Sequence, residues 1–481
     1  MKTNNSKFKV IILYLLCLIL AFNTFTMQVY ATQDELDAQA EERKNEPVDT
    51  NEIEGWPQGP KIGAEGAILM DANTGAILYA KNIDERLYPA STTKIMTSLV
   101  ALENCNLNDI VTVHQSAIDA NASDGSNMGL YAGEQLTLEE ILYGILINSA
   151  NEGCNAVAEH ISGSIDNYVD LMNKRAKELG LKNTHFVSAN GLHDDNHYTS
   201  PRDLAIIARE FFSHDVLCRM SSTPKYVIHE TANHREHYLN SHNKLLSGMD
   251  YEYQYLVGSK TGFTSNSRQT LVSCAEKDGM KLICVIMKEE TPNQFTDTVA
   301  LFNYGFDNFT EVNIKNTDTR YQLSGASYLQ EEDGYFGNTM PLTEVDNASY
   351  VTLPDGVAFE QLDSEITYNN TAEGAFASIS YSYKGQKLGA ADIKYSESLN
   401  DTSDFSKDYK GPKVINIKTV LFRIVEISAL MLVLISVLER LRKVYLERKR
   451  LAKIRRSRKS SSSRGGFSKR RRPVHHRHKK W

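Results

Sequence analysis

Cysteine is scarce, with six residues in a chain of 481, and none of them forms a CxxC pair. There is no HExxH and no cluster of His with Asp, so the sequence offers no metal motif and no cofactor is expected. Cys17 lies in the N-terminal apolar run. The other five, Cys105, Cys154, Cys218, Cys274 and Cys284, are odd in number and read as buried thiols. A Cys274–Cys284 bridge across a hairpin is the alternative. Internal repeats are also absent, which excludes a solenoid or a propeller.

Acidic residues nearly vanish from one end of the chain. Between Arg440 and Trp481 there are 19 Lys and Arg against the single acid Glu447, a tail of +18. The net charge of −7 therefore leaves about −25 on the rest of the chain. An acidic body on a basic tail suggests two compartments, and nucleic acid is not an expected partner. At the other end, Lys2, Lys7 and Lys9 precede an apolar run from Val10 to Phe22, and Val29-Tyr30-Ala31 suits a signal peptidase. Residues 1–31 read as an export signal cleaved after Ala31. Residues 32–54 are polar and acidic and read as a linker.

The middle of the chain carries mixed signals of helix and strand. AILMDANTGAILYAKN predicts a hairpin turning at Asp71–Gly75, and a helix should follow Pro89-Ala90-Ser91. Thr137 and Glu140 form a capping box for a helix that runs to Ile147. Further helices are expected from Glu152, over Asn167–Leu179 and over Pro201–Phe212. LVSCA and KLICVIM predict a second hairpin. Helices with an antiparallel sheet indicate an α/β sandwich rather than a doubly wound fold. From 310 to 396 short β-prone runs alternate with turns and read as a small all-β domain. A linker (397–419), a transmembrane helix (420–438) and a basic cytoplasmic tail (439–481) complete the expected order.

Three short motifs carry chemistry. In Ser91-Thr92-Thr93-Lys94, a helix places the lysine amine on the serine's face, and the helix start supplies positive potential. Ser-x-x-Lys alone is common: average composition predicts about two chance matches, and Ser6, Ser91, Ser222 and Ser241 each begin one. Only Ser91 combines a preceding Pro-Ala with a long apolar-periodic helix. Ser149-Ala150-Asn151 lies between two helices and offers a hydroxyl and an amide. A second Ser-Ala-Asn at Ser188 precedes Gly191 and reads as a turn. Lys260-Thr261-Gly262 leads a strand, where lysine and hydroxyl suit a carboxylate and glycine allows close approach.

The order of the three is the informative feature. This triple resembles the active-serine penicillin-binding enzymes and class A β-lactamases. It is most similar to the low-molecular-mass D-Ala-D-Ala carboxypeptidases, serine peptidase family S11 of the penicillin-binding-protein superfamily. YPASTTKIMTSLVALE, INSANEGCNAVAEHISGS, THFVSANGLHDDNHYTSPRDLAIIARE and VGSKTGFTSNSRQTLVSCA carry the resemblance, which covers about Gly55 to Ser396. It implies a β-lactamase/transpeptidase-like α+β sandwich over 55–309 and a small β-sandwich domain over 310–396.

The resemblance also implies roles. Ser91 attacks the D-Ala-D-Ala carbonyl of a peptidoglycan stem peptide and Lys94 takes its proton. Ser149 and Lys260 extend the proton network, Asn151 orients substrate, and Lys260 and Thr261 face its terminal carboxylate. Gly262 belongs to the substrate-binding strand, and the backbone N–H groups of Ser91 and Phe263 form the oxyanion hole. β-Lactams are the implied inhibitors, and the localisation is the cell membrane, single-pass, with the catalytic body outside. Phe263 stands where some members carry His, and the expected span differs from the amphipathic anchor common in the family. His197 and Asp203 read as structural. A class A β-lactamase would need Glu-x-x-Leu-Asn, and the nearest match, Glu178-Leu179-Gly180-Leu181-Lys182, ends in Lys. A non-catalytic wall-binding protein would not need three reactive motifs in order.

Overall fold

The computed structural model describes residues 31–120, 125–318, 343–368 and 374–395, with residue 449 alone beyond them. The chain divides into two units, 1–398 and 399–481, and the architecture below is that of the first. The expected signal peptide (apart from Ala31), the linker at 397–419, the transmembrane helix at 420–438 and almost all of the basic tail lie outside the described residues. No helix among the described residues is long and apolar enough to cross a membrane.

The segment 32–54 is a correction to the expected linker. Helix α1 (Gln33–Arg43) is closed at its start by a reciprocal cap between Thr32 and Glu35. Arg43 fastens its end, donating to the carbonyls of Gly63 and Lys288 at 2.7 and 3.2 Å. Ala40, Val48 and Thr50 are buried behind it. Polar anchors rather than an apolar stripe hold this helix, so hydrophobic periodicity gave no sign of it.

The core is one five-stranded antiparallel sheet in the order β2-β1-β9-β8-β7. The strands are β1 (Gly66–Asp71), β2 (Ile77–Lys81), β7 (Leu256–Thr264), β8 (Arg268–Lys277) and β9 (Met280–Glu289). The expected hairpins are β1–β2 and β8–β9. In the first turn Asp71 Oδ1 accepts the N–H groups of Asn73 and Thr74 at 2.8 and 2.9 Å, and Gly75 takes a φ of +74°. Every residue of β1 is buried, because both sheet faces are covered. Ile68 and Met70 pack with the helices, while Ala67 and Leu69 face the opposite layer.

The helical layer contains α2 (Lys94–Asn104), α3 (Gln115–Asp119), α4 (Leu138–Ile147), α5 (Asn151–Ser162), α6 (Ile165–Glu178), α7 (Pro201–Phe211) and α8 (Asp215–Ser221). Two small hairpins flank it, β3 (Ile110–Thr112) with β4 (Gln135–Thr137) and β5 (Lys225–Ile228) with β6 (His237–Asn240). The other layer contains α9 (Asn293–Asn308) and a second antiparallel sheet of β10 (Phe309–Asn313), β11 (Thr343–Val345), β12 (Tyr350–Pro354), β13 (Asp363–Thr367), β14 (Ala375–Tyr383) and β15 (Gln386–Tyr395). Among the described residues this is a single six-stranded sheet, not two facing sheets. Trp56, Leu69, Phe302, Val351 and Tyr381 share one buried cluster, so its apolar side is continuous with the first sheet's rear face. Thr352 Oγ1 donates to Asp71 Oδ2 at 2.8 Å and ties the two together.

All five cysteines of the described residues are free thiols. Ser273, not Cys274, is opposite Cys284, and Cys274 and Cys284 belong to different clusters on opposite faces of the sheet. Period-two alternation forbids the bridge.

The capping box at α4 forms as the sequence predicts: Thr137 Oγ1 accepts from Glu140 N–H at 3.2 Å, and Glu140 Oε2 accepts from Thr137 N–H at 2.8 Å. Thr137→Ala should cost about 1 kcal/mol, read as a lower urea midpoint with an unchanged slope.

Candidate active site

The chain enters α2 through a short 3-10 turn, Ala90–Thr93. Ala90 adopts a left-handed φ of +49°, an arrangement a non-glycine residue holds only at a cost of roughly 1–3 kcal/mol. This sets Ser91 at the floor of a cleft and turns Lys94 inward. Lys94 is fully buried. Its Nζ lies 2.9 Å from Ser91 Oγ, 2.8 Å from Asn151 Oδ1 and 2.7 Å from the Asn190 carbonyl oxygen. Burial pushes its pKa down to about 8. A neutral amine has two N–H bonds and one lone pair. In that form, with the two N–H bonds spent on Asn151 and Asn190, the lone pair is left to face the Ser91 hydroxyl.

The second motif sits opposite. Ser149 is the middle residue of the α4–α5 connection, with a left-handed φ of +58°, and its Oγ lies 3.2 Å from Lys260 Nζ. Lys260 comes from β7 and also donates to the Thr261 carbonyl at 2.8 Å. Its pKa is pushed down to about 7, first by burial and then by the charge of Lys94. Both lysines bind fewer protons folded than unfolded between about pH 8 and 10.5, so their contribution to stability rises with pH across that window.

Gly262 marks where β7 passes Ser91. A Cβ there would lie 2.3 Å from Thr270 Oγ1 and 3.0 Å from the Ser91 nitrogen. Thr270 Oγ1 in turn donates to the Pro89 carbonyl at 3.0 Å. Thr261, Gly262 and Phe263 line the cleft with Ser91, Ser149 and Asn151. Phe263 has an exposed side chain, with the Arg268 guanidinium 5.5 Å from its ring centre. All eight residues singled out in the sequence thus converge on one place.

Several residues of this wall were not legible beforehand. The second Ser-Ala-Asn, read as a mere turn, supplies the Asn190 carbonyl to Lys94, and Gly191 holds φ +83° with its Cα packed against Ala90. Glu152 Oε1 accepts the N–H groups of Met128, Gly129 and Leu130 at 2.7, 2.9 and 3.4 Å. Beside it, the Asn151 N–H donates to the Ser126 carbonyl at 2.9 Å, fixing the loop that carries Ser126 to the cleft rim. Lys244, from the Ser241 match, also lines the cleft. The cleft measures about 810 Å³, and no carboxylate lines it among the described residues. His197 and Asp203 are structural, as expected. His197 Nδ1 accepts from Val187 N–H and Nε2 contacts Thr93 Oγ1 at 2.8 Å, while Asp203 Oδ2 accepts from Lys182, Asn183 and Thr184.

The chain is similar to known proteins. A family model described as D-alanyl-D-alanine carboxypeptidase, Peptidase_S11, matches residues 54–291. The chain is 31% identical over 364 residues to D-alanyl-D-alanine carboxypeptidase DacA of Haemophilus influenzae, covering 72% of this chain and 88% of that protein. The chain belongs to the D-alanyl-D-alanine carboxypeptidase family. DacF of Bacillus subtilis is 36% identical over 249 residues, covering 51% of this chain and 63% of the relative. Among solved structures, penicillin binding protein 5 from Haemophilus influenzae aligns with a TM-score of 0.56 at 29% identity, over 70% of this chain and 98% of that one.

Membership in the carboxypeptidase family leaves the β-lactamase alternative without support. Glu178, its nearest candidate for a deacylating base, ends α6 half-exposed and contacts Lys174 and Arg175. It is not among the residues lining the cleft.

The packing at Gly191 yields a test. A Cβ there would lie 2.0 Å from the Ala90 carbonyl oxygen. Gly191→Ala should displace the turn that presents Ser91 and slow penicillin acylation at least tenfold, about 1.4 kcal/mol. Gly163→Ala also places a side chain at positive φ, but in open space, and should acylate at the parent rate.

Proposed function

We propose that Ser91 is the residue through which this D-alanyl-D-alanine carboxypeptidase is acylated, with Lys94 as its base. The observation that carries the reading is the buried Lys94 amine 2.9 Å from Ser91 Oγ, its pKa pushed down by burial to about 8. As Ser91 attacks the penultimate D-Ala carbonyl of a stem peptide, its proton passes to Lys94 Nζ. The carbonyl becomes an oxyanion, received by the backbone N–H groups of Ser91 and Phe263. Collapse expels the terminal D-Ala, whose nitrogen takes the proton held by Lys94 by way of Ser149, beside Lys260. Water then attacks the ester and gives a proton to the freed Lys94 amine, which passes it to Ser91 Oγ as the shortened peptide leaves with its new carboxyl group. Lys260 and Thr261 face the terminal carboxylate and Asn151 orients the peptide. A cleft wall free of carboxylates suits an anionic substrate in a chain whose body is otherwise acidic.

Removal of the last D-Ala limits cross-linking, because that bond's energy is what a transpeptidase would use. A β-lactam places its ring carbonyl at the same point, and its opened remainder stays on Ser91. The domain order and localisation proposed with this reading rest on the sequence. They are a cleaved signal at 1–31, a catalytic domain at 55–309, a β domain to 396, a span at 420–438, and a basic tail on the cytoplasmic side.

Two measurements test the roles. A pentapeptide stem incubated with the chain should lose one alanine by mass, and penicillin should leave an adduct on Ser91 lasting many minutes. Both should vanish in Ser91→Ala, and an adduct on another serine would move the site. The first-order acylation constant should climb as pH rises through about 8, where Lys94 loses its proton, and then level off. Lys94→Arg, charged throughout this range, should lose acylation by orders of magnitude with its circular dichroism unchanged. A flat pH profile or near-normal acylation by that variant would remove Lys94 as the base.

A further inference from the structure

Two helices that begin at the nucleophile end together at a second cluster. α2 starts with Lys94 and α5 with Asn151, whose side chains meet at 2.8 Å. At the far ends, Cys105 follows the last residue of α2 and His160 occupies the last turn of α5. Asp109 lies just before β3. Cys105 Sγ, an Asp109 carboxylate oxygen and an imidazole nitrogen of His160 all lie within 4.8 Å of one another. With a rise of ~1.5 Å per residue over α2, this cluster is on the order of 15 Å from Ser91, outside the acyl chemistry.

The three donors differ in kind and come from two separate pieces of backbone, the turn that carries Cys105 and Asp109 and the last turn of α5. Thiol, imidazole and carboxylate together suit a borderline-soft divalent ion of the zinc class, whereas calcium and magnesium take oxygen ligands. Two of the groups are already held. The Cys105 thiol donates to Asp109 Oδ2 at 3.2 Å, and the Asn106 N–H donates to the same oxygen at 2.9 Å. The Asp109 carbonyl accepts from Leu138 N–H at 2.9 Å, which anchors the turn to the start of α4. Cys105 is half-buried, while His160 is exposed, so its ring has room to close. A tetrahedral site with bonds of ~2.0–2.3 Å sets its ligand atoms roughly 3.5 Å apart, a contraction of about an ångström.

We propose that Cys105, Asp109 and His160 form a three-ligand site for a zinc-class divalent cation, with water in the fourth position. Binding breaks the Cys105 S–H bond, forms a sulfur–metal bond and releases the proton to solvent, with no change of oxidation state. The ion replaces one weak hydrogen bond with a cross-link between the ends of the two helices that present Lys94 and Asn151. Nothing in the spacing of the sequence shows it, since His160 is several elements removed from Cys105 and Asp109.

Cobalt is the direct probe. Titration of Co²⁺ into the metal-free full chain should produce a thiolate-to-cobalt charge-transfer band in the near ultraviolet that saturates at one equivalent, and Zn²⁺ should erase it. Cys105→Ser should abolish the band, and His160→Ala, at an exposed position, should weaken Co²⁺ binding at least tenfold. Zn²⁺ should raise the melting temperature of the parent chain and not of Cys105→Ser. Absence of the band, its survival in Cys105→Ser, or unchanged affinity in His160→Ala would each overturn the site. Penicillin acylation of Ser91 is followed in the same samples and should persist in both variants, so the fate of this site is read separately from that of the catalytic assignment.

Discussion

The buried amine of Lys94 is the constraint around which the rest is arranged. A charged ammonium in a water-free position is expensive unless fully paired, and a neutral amine can donate only twice. The three oxygens around it come from the 3-10 turn, the start of α5 and the Ser188–Gly191 turn. Bringing three strands of chain this close leaves no room for side chains at Gly191 and Gly262, and it forces Ala90 and Ser149 into left-handed backbone. Two strained residues thus adjoin the pair, one on each side of the cleft. The sheet that backs them is buried on both sides.

Much of this was legible in the sequence, for identifiable reasons. The β8–β9 hairpin, the α4 capping box and the start of α2 are set by local rules of alternation and hydrogen bonding, and they appear where those rules put them. The three motifs fall on the element types expected of them because their chemistry needs a helix start, an inter-helix corner and a strand edge. What stayed hidden depends on contacts distant in sequence. Asn190 matters through a backbone carbonyl, which any residue could supply, so its identity carries no signal. Glu152 sits in the first turn of α5, and its partners are three backbone N–H groups in the loop before β4, a strand and a helix earlier in the chain. α1 has almost no apolar periodicity, and it is held by Arg43 reaching the carbonyls of Gly63 and, on β9, Lys288. The Cys274–Cys284 bridge failed on a one-residue offset in register, which moves a side chain to the opposite face.

The two sheets also resist a simple division into modules. The rear face of the five-stranded sheet packs with α9 and the second sheet in one cluster, so the second sheet supplies part of the first sheet's buried surface. Asp71, at the end of β1, is bonded both to its own turn and to Thr352. A boundary in sequence near 310 is therefore not a boundary in the core.

The pairing of β1 has a further consequence, in time. β1 pairs with β2 close by, but its other neighbour is β9, where Ile68 is opposite Val285. During synthesis at roughly 5–20 residues per second, β1 emerges on the order of ten to forty seconds before the strand that completes it. Throughout that interval an apolar strand has one row of hydrogen-bonding groups unmatched, the condition in which chains associate wrongly. The sheet is completed only by its last-made strand, β9, and Ser91, which lies between β1 and β9 in the chain, meets Gly262 of β7 late in that interval. The Ser91–Lys94 pair is thereby left without its β7 wall until that strand has been made.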